Sequence, residues 1–574
     1  MHNSPQLKKL VKRACGIALC VPLWVHADNS AGKYDSPQFL ANDAQFSPWI
    51  YPLQYFAAHP GNYSYIWTMY CINVDYFAQI SPADNQVLAH VKDPAMPMNQ
   101  DVTRYVFNLM DNSNKINSLK VYYADGDWGA DKLEKLLPNN AANAVISKGK
   151  QGKDWNSLTS HAKVFQASNN QNLYVSVSGS LNLQTVGLTA KANNALRFIE
   201  TTPQLYNDFS NFSNSVVAND ASNQFSGDGS LNSSGIKVPP VYINNYQVKF
   251  YAGRGNEFVG GNQTTETAPW PNYINPPVAH EHDKDVINWY DQVIYDAAKE
   301  LKQGKTVNIY VAAFEIGQDS PFIDNLWRFA ANGFENKHGP QRGDTTPLAS
   351  QYPGQLHIYV LWQFHKVKNK KSADSIPTSL HGLFKHMLKD LKSDNDTQTT
   401  TTDLNNTSIS VANGAYTLTA AQIWPVNDPK GPQTPQDMHN KFVIMDVVGH
   451  ESERKLYVTS SNLDQPEVGS GKLWQVGTII SARKDSGIWS GANAATPNLW
   501  NAYKHYYDLL WDSRVNGKNP GQINFYKVIA KEHLAGKVNW IETVPTGKFN
   551  PAQAPQAGID AFFYPVPFSA TAPQ

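Results

Sequence analysis

The chain spells the same short series of chemical groups twice, and that repeat limits what it can fold into more than any other feature. His161-Ala-Lys163 is followed by Gly179-Ser180-Leu181-Asn182, and His439-Asn-Lys441 is followed by Thr459-Ser460-Ser461-Asn462. His-x-Lys itself occurs four times, at His90, His161, His282 and His439. About one copy is expected by chance in a chain of this size and composition, so the triplet alone says little. Only the copies at His161 and His439 carry a Ser-x-Asn at similar distance downstream. Gly229-Ser230-Leu231-Asn232 repeats the tetrapeptide without a His-x-Lys of its own and reads as loop.

On a strand, residues i and i+2 point to the same side. His161 and Lys163 therefore aim at one point, as do His439 and Lys441, and Ser460 and Asn462 share a face in the same way. If the two strands of each half pair as a hairpin, imidazole, ammonium and carboxamide converge. Each half then makes one side of a phosphate cradle, and two halves face to face surround a phosphodiester.

The elements around the motifs suit this picture. Strands are predicted at Leu119–Asp125, Ala162–Ala167, Leu173–Val177, Val307–Phe314, His357–Phe364, Phe442–Val447 and Leu456–Thr459. Helical patterns lie at Val102–Met110, Val286–Lys302, Phe322–Phe334, Leu380–Leu391 and Trp500–Trp511. Alternating strands and helices predict an α/β chain with largely buried sheet. Phe442-Val443-Ile444-Met445 is apolar on both faces, as a central strand should be. Each half runs strand, His-x-Lys, strand, Ser-x-Asn, then an aromatic-rich helix, near Leu205–Phe212 in the first and Trp500–Trp511 in the second. Residues 211–240, rich in Asn, Ser and Gly and ending in Pro239-Pro240, read as an exposed connection between two lobes. Residues 395–408, rich in Asp, Asn and Thr, read as a surface loop. The expected fold is two similar α/β/α sandwich lobes, over 28–240 and 241–574, with the site at their interface.

His439-Asn-Lys441-Phe-Val-Ile-Met-Asp446 matches in full the HxKxxxxD signature of the phospholipase D superfamily, which the chain resembles. The first copy, His161-Ala-Lys163-Val-Phe-Gln-Ala-Ser168, departs from it, with Ser168 where the family has Asp. The repeat order extends the resemblance over most of the chain, but only these two motifs are specific. The resemblance implies a phosphodiesterase with His161, His439, Lys163, Lys441 and Asp464 as catalytic residues. Lys163, Ser180, Asn182, Lys441, Ser460 and Asn462 are implied to hold the phosphate. Asp446 and Gln184 are implied to stand behind the site. Asp464, two residues after Asn462, is where the family places a carboxylate that orients the histidine, and its first-half counterpart is Gln184. The family mechanism is covalent. One histidine attacks phosphorus, and the other protonates the leaving oxygen and then activates water or an alcohol. The first-half histidine is usually the nucleophile, which here means His161. The weakened first motif leaves the opposite assignment open. No cofactor and no metal is implied.

The amino terminus sets the expected compartment. Lys8, Lys9, Lys12 and Arg13 precede an apolar run from Ala14 to Trp24, and Val25-His26-Ala27 fits the small-x-small cleavage pattern. Residues 1–27 read as a cleavable signal peptide, so a secreted or periplasmic protein is expected. The apolar run is shorter than the roughly 20 residues that a membrane span needs. Cleavage removes Cys15 and Cys20 and leaves Cys71 alone, so an intramolecular disulfide is ruled out. The full chain balances 48 basic against 48 acidic residues, and losing the four leader cations leaves a net charge of −4. A mildly acidic chain lacks the broad positive field of most nucleic-acid binders. The expected partner is a phospholipid or membrane surface, with nucleic acid as the alternative and no obligate protein partner evident. A catalytically impaired phosphate- or lipid-binding protein is the rival from another class, suggested by Ser168 and Gln184.

Three further clusters carry weaker signals. Ala279-His280-Glu281-His282-Asp283 has His-x-His zinc spacing, but no third ligand is evident and Asp283 or Asp285 reads as a helix cap. Lys366, Lys368, Lys370 and Lys371 read as a solvated loop. The aromatic stretch Trp49–Phe77 reads as core in preference to an interfacial belt.

Overall fold

The computed structural model describes residues 47–59, 61–72, 76–81, 86–92, 102–124, 144–148, 159–184, 187–188, 191–218, 224–226, 235–254, 289–314, 353–363, 399–403, 408–413, 416–425, 438–462, 473–484, 486–489, 498–513, 522–523, 529, 531–534, 538–543 and 550–566. The expected helices at 322–334 and 380–391 and the clusters at 279–283 and 366–371 lie outside them, as do Asp464 and the leader.

Helix α1 (Ile50–Ala58) leads into strand β1 (Gly61–Met69), then helix α2 (Val102–Asp111) into β2 (Asn114–Tyr123) and β3 (Ala144–Lys148). The first motif lies on β4 (Lys163–Ser168) and after β5 (Tyr174–Gly179), followed by β6 (Asn194–Glu200) and α3 (Gln204–Ala218). The chain then runs through β7 (Tyr246–Arg254), helix α4 (Trp289–Leu301), β8 (Thr306–Ala313), β9 (Gln355–Gln363) and β10 (Tyr416–Pro425). The second motif lies on β11 (Lys441–Val447) and after β12 (Lys455–Thr459), followed by β13 (Leu473–Ala482), α5 (Leu499–Ser513) and a last strand β14 (Gly558–Phe563).

Two sheets repeat one plan. The first has the order β14-β6-β5-β4-β1-β2-β3, and the second contains β7-β13-β12-β11-β8-β9-β10. Parallel pairs also correspond. β1 is parallel to β2 and antiparallel to β4, as β8 is parallel to β9 and antiparallel to β11. The strands beside β13 and β6 are exchanged between halves. After α3 the chain crosses to place β7 beside β13, and after α5 it crosses back to place β14 beside β6. The carboxy-terminal strand is thus an edge of the first sheet, held there by a buried ion pair. Arg197 Nη2 on β6 lies 2.7 Å from Asp560 Oδ2 on β14.

The two aromatic helices bury the same spacing of side chains, which is why both form where they do. Leu205, Phe209, Phe212 and Val216 of α3 recur at i, i+4, i+7 and i+11, and so do Leu499, Tyr503, Tyr506 and Leu510 of α5. Glu200 caps α3 by accepting from the amides of Leu205 and Tyr206, and Asn498 caps α5 by accepting from Asn501. Both helices join a core that also takes Val164 and Leu196 from the first sheet and Phe442, Ile444 and Val476 from the second. The other face of the first sheet is covered by α1 and α2. There Trp49, Tyr51, Tyr63, Tyr65 and Trp67 are buried, so most of the aromatic stretch is core.

Two loop readings are corrected. Residues 211–218 are the last turns of α3, with Phe212 and Val216 buried, so helix continues well into the predicted connection. Residues 399–403 form a strand paired with 408–413, extending the second sheet beyond β10. No described helix is long and apolar enough to cross a membrane.

Candidate active site

The two motifs meet because each is hydrogen-bonded to the opposite half. The His161 amide donates to Trp474 O at 2.9 Å, and the His439 amide donates to Ala192 O at 2.8 Å. These bonds correspond under the repeat, since the Ser180 amide donates to Asn194 O and the Ser460 amide to Val476 O, two residues after Ala192 and Trp474. Thr159 and Ser160 also pair with Leu473 and Trp474, and Ala192 with Met438.

Each motif strand begins at its lysine, and the histidine lies two residues before it. Lys163 Nζ donates to His161 O at 2.7 Å, and Lys441 Nζ donates to His439 O at 3.1 Å. An ammonium carries three donors, so this bond does not exhaust it. His161, Lys163, His439 and Lys441 are each at most 7% exposed, so the charges sit where water screens them little. Asn182 and Asn462 are buried as well. The Asn182 Oδ1 is buried without a hydrogen-bond partner among the described residues, which leaves its carboxamide capacity for a ligand.

The serine hydroxyls bond to the strand that follows each motif. Ser180 Oγ accepts from the Asn194 amide at 2.9 Å, and Ser460 Oγ accepts from the Val476 amide at 3.1 Å while donating to Gln475 Oε1 at 2.8 Å. Both hydroxyls are fully buried and committed to the next strand, so they fasten β6 and β13 to the turns carrying the asparagines. Gly179 allows this approach. Its φ is +153°, and a Cβ there would lie 2.5 Å from Asn194 O.

The ends of the two signatures also lie away from the histidines. Asp446 Oδ1 accepts from Arg454 Nε at 2.7 Å, and the Arg454 guanidinium packs over Trp500 of α5 at 4.1 Å. Ser168 accepts from Tyr206 OH of α3 at 3.4 Å. Each position ties its motif strand to the following helix. Gln184 is buried in the turn after Asn182, where its carbonyl accepts from the Gly187 amide.

The residue that holds His439 comes from the other half. Asn193 Oδ1 lies 2.8 Å from His439 Nδ1. Asn193 Nδ2 donates to Gly187 O at 2.9 Å and Ser180 Oγ lies 3.2 Å from Oδ1, so the carboxamide oxygen is the atom that faces the imidazole. His439 Nδ1 therefore carries the proton, and Nε2 presents a lone pair. The counterpart of Asn193 is Gln475, also fully buried. Asn193 is held in turn. Its carbonyl accepts from the Tyr564 amide at 3.0 Å and from Tyr506 OH at 3.3 Å, and Tyr506 OH also bonds Asn440 Nδ2 and Tyr564 O.

Burial holds the His439 imidazole well below the usual histidine range, and the cations Lys441, Lys191 and Lys163, with His161, push it the same way. Two of those groups belong to the first motif, so the two halves act on one another electrostatically. Lys191 is an additional cation of the site that no motif marked.

No family model matches the chain, and no curated protein matches it. Among solved structures it is similar to a phosphatidylserine synthase from Haemophilus influenzae Rd KW20, at 10% identity over 75% of this chain and 79% of that one, with a TM-score of 0.37. It is similar to yeast tyrosyl-DNA phosphodiesterase at 9% identity, over 74% of this chain and 84% of that one, with a TM-score of 0.30. A polyphosphate kinase from Porphyromonas gingivalis matches at 8% identity over 81% of this chain and 45% of that one, with a TM-score of 0.34.

Proposed function

We propose that this chain is an exported phosphodiesterase of the phospholipase D type, which releases head groups from phospholipids through a phosphohistidine. The observation that carries the reading is the reciprocal docking of two His-x-Lys pairs, His161 onto Trp474 and His439 onto Ala192. It supports one composite site in place of two separate ones. The complete signature at His439–Asp446 supports the same chemistry from the sequence.

We take His439 as the nucleophile, which reverses the order implied by the family pattern. Its imidazole is held neutral, with the Nε2 lone pair available. Nε2 attacks phosphorus, and the P–N bond forms as the bond to the leaving oxygen breaks. Protonated His161 gives its proton to that oxygen. It then takes a proton from water, which attacks phosphorus and releases His439. Lys163 and Lys441, with Asn182 and Asn462, stabilise the non-bridging oxygens as charge spreads over them. The cationic and proton-transferring groups of this scheme all belong to the chain.

The test is product release by the mature chain in EDTA, offered phosphatidylcholine and single-stranded DNA separately, with His439→Ala as control. Choline release that the variant loses is the expected result. DNA cleavage without choline release would move the assignment to nuclease. Activity on neither would favour a narrower head-group preference or a binding protein, which phosphohistidine trapping separates.

A further inference from the structure

Each histidine is faced by an aromatic ring. The chain leaves β1 at Met69 and β8 at Ala313, and the next residues are Tyr70 and Phe314. β1 and β8 hold the same place in the two sheets, each antiparallel to its motif strand, so these are one position of the repeat. The Tyr70 ring stands edge-on to His161, with centroids 4.6 Å apart and planes at 65°. The Phe314 ring meets His439 at 4.7 Å and 57°. The lysines share the same rings. Lys163 Nζ is 5.3 Å from the Tyr70 centroid and Lys441 Nζ is 5.0 Å from that of Phe314. The Tyr70 amide is also pinned to the motif, donating to Ala162 O at 2.9 Å.

Both rings are half-buried, whereas the histidines and lysines behind them are buried. A ring packed against an imidazole resists rotation about its χ2, a broad torsion. An aromatic face within about 6 Å also attracts an ammonium, and more so when water is excluded. One ring thus restrains both members of a pair. The same arrangement in both halves, with Tyr in one and Phe in the other, makes the ring itself the shared feature.

We propose that Tyr70 and Phe314 are positioning residues, which fix the imidazole planes and the lysine ammonium groups for in-line attack and departure at phosphorus. The catalytic part of this inference rests on the phosphodiesterase reading, whereas the geometric part does not.

The experiment compares the full mature chain with Tyr70→Leu, Phe314→Leu, Tyr70→Phe and Phe314→Tyr. The probe is bis(4-nitrophenyl) phosphate, and histidine side chains are followed in parallel by NMR. Both leucine variants should lose about 10²-fold in kcat, the cost of a misplacement near 1 Å, with KM within about threefold of wild type. The aromatic exchanges should restore kcat to within about threefold. The leucine variants should also lose the ring-current shift of the facing histidine, with the Tm kept. Wild-type kcat in the leucine variants would overturn the proposal, and so would aromatic exchanges as damaging as leucine. If the wild-type chain cleaves no phosphodiester, the functional reading fails alone. An unchanged histidine spectrum in the leucine variants would then still overturn the positioning role.

Discussion

His439 Nδ1 lies 2.8 Å from Oδ1 of Asn193, a residue from the opposite half of the chain. An amide in this place fixes the imidazole tautomer without raising its basicity, as a carboxylate would. The surrounding cations then keep His439 neutral. Asn193→Asp should raise the histidine pKa and move the acid limb of the kcat/KM profile upward by about one unit. Asn193→Ala should lower kcat by about 10²-fold, as expected when a reacting group loses its orientation. An Asn193→Asp profile that superimposes on wild type would show that Asn193 does not set the protonation of His439.

The lysines should matter in the transition state more than in binding. Lys441→Ala and Lys163→Ala should each cost on the order of 10²–10³ in kcat, typical of removing one donor to a developing oxyanion. Steady-state kinetics on a soluble diester would check this. A change in KM alone would place the lysine outside the reacting phosphate.

The exchanged carboxy-terminal strand makes a strong stability prediction. Arg197 and Asp560 are fully buried, and Asp560 also accepts from the amides of Glu542 and Thr543. Asp560→Ala leaves the guanidinium buried without its counter-charge, which should cost about 3–5 kcal/mol. Denaturant unfolding would measure it. A loss under about 1 kcal/mol would mean that β14 is not held as described.

Tyr506 connects that strand to the site through Asn440, Asn193 and Tyr564. Tyr506→Phe keeps the ring and leaves these buried groups short of a partner, at a cost of about 1–3 kcal/mol. It should also lower kcat, because Asn193 loses part of its support. The two readouts together distinguish a coupled residue from one that only packs.

Stability should depend on pH through a second buried histidine, outside the two motifs. His533 is pushed down to about 4 by burial. Its folded pKa lies below the unfolded value, so the neutral form is favoured by folding. The contribution is whole above about pH 6.5 and is lost as pH falls toward about 4. The difference between wild type and His533→Gln, measured by chemical denaturation at several pH values, isolates this group. That difference should shrink on acidification, and a flat difference would contradict the assignment.

Much of the architecture was legible because strand and helix periods are local. The β4 and β11 strands, the alignment of His with Lys, and the aromatic helices all follow from residues within a few positions of one another. Asn193 was not legible, since its contact with His439 depends on how two distant halves dock. The bonds of the serines were not legible for a related reason. A hydroxyl beside a phosphate motif looks like a ligand, and only the structure shows Ser180 and Ser460 already bound to β6 and β13. Thr399–Asp403 read as loop because its strand is polar on both faces and gives no apolar alternation. The exchange of β7 and β14 left no trace in composition at all.

The most direct measurement is to trap the covalent intermediate on a labelled phosphodiester with an alkaline quench, then locate the label by mass spectrometry. The account predicts label on His439 in the wild-type chain, accumulation on the same residue in His161→Asn, and none in His439→Asn. Label that persists in His439→Asn, or wild-type turnover in either variant, would contradict it.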